Sequence, residues 1–371
     1  MKKSELQTPA ILVDLDILDY NIKRYQYLCN LNRKQLWPMV KTHKSTEIVN
    51  MQEAAGSTGF VCGTLDECES ICKLGVKNIM YAYPVASNAN IQRVIELARK
   101  CHFIARIDNY DSAKILNYAA ETAGVNVNYT IIIDCGLHRF GILPDRAKDF
   151  ADSLREFKAL VFKGISTHPG HVYSAAKPED IQQYVDQETN AIKEAADVLR
   201  AAGYALELVS SGSTPTFLGS ISDETINIFH PGNYVFNDCI QMSTNTAKES
   251  ECALTVYTTV ISHPSENLFI CDAGAKCLGL DQGAHGNTAL KGYGYVKGHP
   301  ELTICGLSEE VSRFHAEGST TLKVGDMVEI IPNHTCSTAN LTSYLLGCRG
   351  DTVERLIKID MRGNSTTKNF R

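Results

Sequence analysis

The amino-acid sequence predicts an α/β fold, a TIM-type (β/α)8 barrel followed by an all-β C-terminal domain. Three observations predict it. From about residue 20 to about residue 245, short β-rich runs alternate with amphipathic stretches of helical period. The β-rich runs number eight, the count that closes a parallel barrel. Beyond residue 245 the helical period stops, and strand-like runs follow one another between Gly, Pro and Asn.

Taken in order, residues 8–14 are strand-like and are expected to join the later β domain. The barrel is expected over 18–245, with strands at 36–41, 59–63, 78–83, 102–108, 128–134, 161–168, 205–211 and 225–230. Helices are expected at 45–55, 64–74, 87–100, 110–123, 145–157 and 178–202. In the last of these, Ile181, Tyr184, Val185, Glu188, Ile192, Ala195, Ala196 and Leu199 recur at i, i+3, i+4 spacing. The β domain is expected over 246–371, on runs such as 252–263, 267–274, 301–308 and 326–332, with a disordered tail at 362–371. An open doubly wound sheet is the competing arrangement for the first part; the strand count favours the barrel.

Composition narrows the function. A chain of 371 residues has room for two domains, and its 44% hydrophobic and 21% charged fractions are those of a globular protein. The net charge of -6, with no basic run, argues against a nucleic-acid partner. No apolar stretch approaches the roughly 20 residues of a membrane span. Asp14 and Asp16 follow the short N-terminal apolar run at once, unlike a signal peptide. The 13 cysteines contain no C-x-x-C pair, so reduced thiols and a cytoplasmic location are expected.

Reactive residues of a parallel barrel collect at the C-terminal ends of its strands. Unusual residues fall there repeatedly: Lys41, the run Asp134–Gly141, His168 with His171 and Tyr173, Ser211–Pro215, and His230–Tyr234. Most lysines are solvated, but one at a barrel mouth is partly desolvated, which exposes the amine lone pair that a Schiff base requires. Lys44 is the nearby competitor. Gly212, Ser213 and Thr214 offer backbone N–H groups to an anion after strand seven, where barrel phosphate sites are common, although an ordinary capped loop reads the same way. A lysine and a phosphate anchor at one mouth suit pyridoxal 5′-phosphate (PLP). Arg139, unless it is a surface partner of Asp134, could keep a pyridine nitrogen unprotonated. His168 and His171 are candidate acid–base groups, though structural histidines are common. In the β domain, His334-x-Cys336 offers imidazole and thiolate from an extended segment, a pair suited to an open divalent-metal site.

With these residues in view, the chain resembles the D-threonine aldolase / D-serine dehydratase family, whose barrel is of the alanine-racemase type (PLP fold type III). The resemblance covers essentially the whole chain. It rests on P-M-V-K41-T-H-K, D134-x-G-x-x-R139-x-G, H168-P-G-H171-V-Y173, S-G212-S213-T214-P-T, H-P-G-N-Y234-V-F-N-D, C-D272-A-G-A-K and P-N-H334-T-C336. It implies that Lys41 holds PLP, that Arg139 faces the pyridine nitrogen, and that Tyr173, Gly212, Ser213, Thr214 and Tyr234 surround the cofactor and its phosphate. His334 and Cys336 would bind Mn²⁺ or Zn²⁺, with Mg²⁺ as a third choice, beside the substrate's β-hydroxyl. A homodimer and a D-amino-acid substrate are implied as well.

For the reaction, the resemblance favours D-threonine aldolase, giving glycine and an aldehyde with His171 as base. The alternative is D-serine dehydratase, giving a 2-oxo acid and ammonia. The short loop at His168–His171 and the thiol of Cys336 are nearer the dehydratase pattern, and Val311 stands where many relatives carry His. A non-enzymatic PLP-binding protein uses the same barrel without a second domain, so residues 246–371 argue against it.

Overall fold

The computed structural model describes residues 1–282 and 289–363, arranged about two sheets. The chain opens with β1 (Ala10–Asp14), a strand of the second sheet, and a helix over Leu15–Leu31 that the sequence reading did not single out. Asp14 caps that helix by accepting from the N–H groups of Asp16 and Ile17.

The first sheet comprises β2 (Gln35–Leu36), β3 (Phe60–Cys62), β4 (Asn78–Tyr81), β5 (His102–Ile107), β6 (Val127–Ile132), β7 (Leu160–Ser166), β8 (Leu208–Ser211) and β9 (Ile228–Phe229). All its pairings are parallel, in the order β2-β9-β8-β7-β6-β5-β4-β3. A parallel bridge between Met39 and Val61 completes the ring. The barrel expectation is therefore met, and the open sheet is not. Side chains alternate across the barrel wall as strand geometry demands. Phe103, Ala105 and Ile107 of β5 join the core beneath the helices, while Ile104 joins Trp37, Met39, Val61, Met80, Leu208 and Ile228 in a separate inner cluster. Arg106 continues that inner row, one layer nearer the C-terminal rim.

Several expected elements are shorter in the structure, among them the strands expected at 205–211 and 225–230, which span Leu208–Ser211 and Ile228–Phe229. The strand expected at 36–41 stops at Leu36, and Lys41 sits in a 3-10 turn over Val40–Thr42. Pro38 has no N–H to give the ladder, yet Trp37 and Met39 still donate to the Phe229 and Pro231 carbonyls, so the segment stays on the rim. The helix expected at 145–157 spans only Ala147–Ser153. By contrast, Ile181–Ala201 buries Val185, Glu188, Ile192, Ala195, Ala196 and Leu199, the stripe its spacing predicts.

Between β7 and β8 there is no room for a side chain at Gly164, whose φ is +143° and whose Cβ would collide with the Leu208 carbonyl. Gly164→Ala is expected to cost about 3 kcal/mol or more, a strained-backbone and overpacking loss combined, read as a lower urea midpoint.

The second sheet contains β10 (Leu254–Ser265), β11 (Leu268–Cys271), β12 (Tyr295–Val296), β13 (Leu302–Leu307), β14 (Ser312–Ala316), β15 (Met327–Ile331), β16 (Tyr344–Arg349) and β17 (Thr352–Lys358). Its order is β13-β14-β11-β10-β1-β16-β17, with β15 pairing β10 and β12. Strand β1 lies between β10 and β16, so the first strand of the chain is built into the sheet of its last third. The tail expected to be disordered falls mostly on residues 364–371, outside the described residues. Among the described residues no helix is long and apolar enough to cross a membrane.

Candidate active site

A cavity opens at the C-terminal rim of the barrel and is closed on one side by the turn after β15. It holds about 800 Å³ of empty space, its solvent-filled mouth included, and its walls carry Lys41, Arg106, Arg139, His168, Tyr173, Gly212, Ser213, His230, His334 and Cys336. The two competing lysines separate cleanly. Lys44, at a positive φ of 46°, turns its Nζ to Glu67 Oε1 at 2.5 Å. Glu67 is fully buried and also receives the Gly63 and Thr64 N–H groups through its capping box. Lys41 faces the cavity instead, and among the described residues its Nζ has no ion-pair or hydrogen-bond partner.

Two loops bring backbone to the cavity. After β8, Gly212 (φ +151°) passes so close to the chain after β9 that a Cβ would lie 2.8 Å from His230 N. After β9, a Cβ on Gly232 would come within 3.0 Å of the Met39 carbonyl and of Thr42 Oγ1. His168 Nδ1–H donates to the Gly212 carbonyl at 2.8 Å, and the Tyr234 N–H donates to Thr214 Oγ1 at 3.2 Å. Burial raises the Tyr173 phenol, against which the Thr214 N–H acts in the opposite direction. Burial also pushes His168 down to about 3, helped by the charges of Lys41, Arg139 and Arg106, so its ring is neutral and serves to hold the loop.

His334 and Cys336 meet on the β-sheet side of the cavity. The extended segment expected for the pair holds only His334, since Cys336 lies in the first turn of a short helix over Thr335–Asn340. Burial opposes ionisation of the Cys336 thiol, but the neighbouring His334 charge, with smaller help from Lys41 and Thr42, brings it below its ordinary value. Cys336 Sγ lies 3.2 Å from Thr42 Oγ1, and His334 Nδ1 lies 3.4 Å from Asp281 Oδ1. Among the described residues no third His, Cys, Asp or Glu completes a ligand cluster with them. Both residues line the same chain's barrel cavity.

Three expected residues are placed elsewhere. His171 is not in the cavity wall: its Nε2–H donates to Gln187 Oε1 at 2.7 Å, and its ring packs edge-on against Tyr184. Tyr234 is fully buried beneath the rim, stacked on Tyr25, with its hydroxyl accepting from Gln52 Nε2 at 3.0 Å. Only its backbone supports the loop. Thr214 likewise turns its hydroxyl to that backbone and away from the cavity. Arg139 does reach the cavity, over the rings of Phe140 and Tyr83, and Asp134 pairs with His138 instead of with Arg139.

The structure adds residues that sequence reasoning missed. Arg106 from β5 reaches across the barrel axis to His230, beyond β9, with Nη2 donating to Nε2 at 3.0 Å. Burial lowers Arg106 to about 10, and no carboxylate compensates it among the described residues. Asp238, fully buried, accepts from Asn233 Nδ2 at 2.6 Å and from the Thr335 N–H at 3.0 Å, so it ties the loop after β9 to the His334–Cys336 turn. Its place in H-P-G-N-Y-V-F-N-D was visible, but its partner 97 residues away was not.

This donor set fits PLP. An unpartnered amine, two close backbone approaches at Gly212 and Gly232, and the guanidinium groups of Arg106 and Arg139, with no Asp or Glu in the wall, suit an aldehyde carrying a phosphate. The imidazole–thiol pair suits a borderline-soft divalent metal.

Comparison with known proteins agrees with this geometry. The family described as "Alanine racemase, N-terminal domain" matches residues 13–238, and "Putative serine dehydratase domain" matches residues 253–348. A D-serine dehydratase of Dictyostelium discoideum is 30% identical, over 92% of this chain and 93% of its own. A 3-hydroxy-D-aspartate aldolase of Paracoccus denitrificans (strain Pd 1222) is 28% identical, over 98% of this chain and 94% of its own. A solved D-threo-3-hydroxyaspartate dehydratase superposes with a TM-score of 0.89 at 28% identity, covering 96% of this chain and 98% of that one. That form is a cysteine-to-alanine mutant described as metal-free, and a companion structure is a histidine-to-alanine mutant altered two positions earlier. The chain belongs to the D-threonine aldolase / D-serine dehydratase family, PLP-dependent D-amino-acid lyases built on the alanine-racemase-type barrel.

Proposed function

We propose that the protein is a divalent-metal-assisted dehydratase of D-β-hydroxy-α-amino acids, forming a 2-oxo acid and ammonia. One observation carries the choice over the aldolase. The cavity sets the unpartnered amine of Lys41 beside the His334–Cys336 pair, whereas His171, the base a retro-aldol route was expected to use, is held outside by Gln187. Elimination asks for a base at Cα and assistance to a departing hydroxyl, and the cavity offers both.

Lys41 would hold PLP by its Nζ, the Gly212–Ser213 and Gly232–Asn233 loops would hold its phosphate, and Arg139, Tyr173 and the Arg106–His230 pair would border its ring. When bound, PLP withdraws electrons from Cα and so acidifies the Cα proton. The Lys41 amine would take that proton. His334 and Cys336 would hold the metal, whose Lewis acidity weakens the C–O bond of the β-hydroxyl. The relatives' His and Cys, two positions apart in a dehydratase, support the same pairing of His334 with Cys336.

Incubation with D-serine, D-threonine and 3-hydroxy-D-aspartate tests the proposal. Ammonia and the matching 2-oxo acid are expected from at least one of them. Glycine with an aldehyde as the main products would overturn the dehydratase assignment in favour of the aldolase.

A further inference from the structure

Glu188 is the one charged residue in the buried stripe of the helix Ile181–Ala201, and its side chain is fully buried. A carboxyl taken out of water destabilises the fold unless it is hydrogen-bonded, paired or neutral. Its Oε1 accepts a short hydrogen bond from Ser211 Oγ, the last residue of β8 and the one before Gly212. The Thr216 and Ser220 hydroxyls also approach the carboxyl. Thr216 in turn bonds Ser213, with the two hydroxyl oxygens 3.0 Å apart and the Thr216 N–H 3.4 Å from Ser213 Oγ. Glu188 therefore holds the start of the Gly212–Ser213 loop from behind through Ser211, its second oxygen Oε2 being buried without a hydrogen-bond partner among the described residues, while His168 clamps the loop at the Gly212 carbonyl.

We propose that Glu188 is a positioning residue for the phosphate-binding loop, a neutral acid that accepts from Ser211 and keeps its unpartnered second oxygen out of water behind the loop. An ionised carboxylate behind the loop would oppose a dianionic phosphate in front of it, whereas a protonated carboxyl holds the same hydroxyls without that repulsion. Burial raises the Glu188 carboxyl to about 7, which brings the protonated form within reach at neutral pH, and the unpartnered Oε2 favours that form. The inference rests on the reading that this loop takes the cofactor phosphate.

The test uses the full-length protein, freed of cofactor by dialysis and titrated with PLP and with pyridoxal, which lacks the phosphate. Wild type is expected to prefer PLP strongly. Glu188→Leu is expected to weaken PLP binding about tenfold, the scale of one or two lost buried hydrogen bonds, and to leave pyridoxal binding unchanged. Glu188→Gln, which keeps one acceptor and one donor, is expected to retain the wild-type preference. Should Glu188→Leu fail to fold, Ser211→Ala removes the other end of the same bond and is expected to lose part of the preference. Equal weakening of both ligands, an undiminished preference in Glu188→Leu, or loss of preference in Glu188→Gln overturns the proposal. A wild type that binds PLP and pyridoxal alike overturns the phosphate placement itself, a separate result.

Discussion

Lys41→Ala is expected to lose the visible absorbance of bound cofactor together with all measurable turnover, whereas Lys44→Ala keeps the absorbance. The two lysines are three residues apart, yet their surroundings give them opposite assignments. Lys44 is committed to Glu67, a fully buried carboxylate that also caps the following helix, and the pair is closed at 2.5 Å. Removing the Lys44 amine strands that carboxylate, a change worth about 3–5 kcal/mol of stability. Lys41 has no such partner, and its loss should leave the fold nearly intact. In the proposed route it acts twice, as the anchor of the cofactor and as the base at Cα, so the fall in turnover should exceed the about 10²–10⁴-fold typical of a general base alone. Absorbance, turnover and the urea midpoint separate the cases: Lys41→Ala changes the first two, and Lys44→Ala mainly the third. Bleaching in Lys44→Ala with colour retained in Lys41→Ala would reverse the assignment.

The barrel was legible in the sequence because it is written in local patterns. Short strand runs and helical stripes such as Val185–Leu199 declare their periods without reference to distant parts of the chain. Boundaries were less legible where a breaker and a ladder compete, as at Pro38, where the chain leaves strand geometry but keeps its rim hydrogen bonds. Site residues were legible in type and rim position, and less so in direction. His171 and Tyr234 lie in the expected motifs, but each belongs to a 3-10 turn whose rotation sends the side chain to Gln187 in one case and Gln52 in the other. Nothing in a one-dimensional pattern sets that rotation. Arg106 was hidden for a different reason. It sits in an ordinary-looking strand, and only closure of the ring brings it to His230, 124 residues on.

Replacing His334 or Cys336 by Ala is expected to leave cofactor absorbance close to wild type while removing most turnover. The pair stands on the turn after β15, whereas the proposed cofactor anchors stand on the barrel rim, so the two functions are carried by different elements. A Lewis acid at a leaving hydroxyl contributes several kcal/mol, which corresponds to about 10²–10⁴-fold in rate. Chelation of wild type should reproduce the loss, and Zn²⁺ or Mn²⁺ should restore it. Packing alone makes a different prediction, since Cys336 also touches Thr42, the neighbour of Lys41. If the thiol served only to pack there, Cys336→Ala would disturb the absorbance and chelators would do nothing. Cys336→Asp sharpens the test further. An oxygen ligand in place of sulfur should keep a metal but move the preference from Zn²⁺ towards Mn²⁺ or Mg²⁺, because softer thiolate favours the former. Full activity in thoroughly metal-stripped wild type would remove the metal from the reaction and leave the departing hydroxyl to be assisted by a protein acid, for which Tyr173, a cavity residue whose phenol burial keeps protonated, is the candidate.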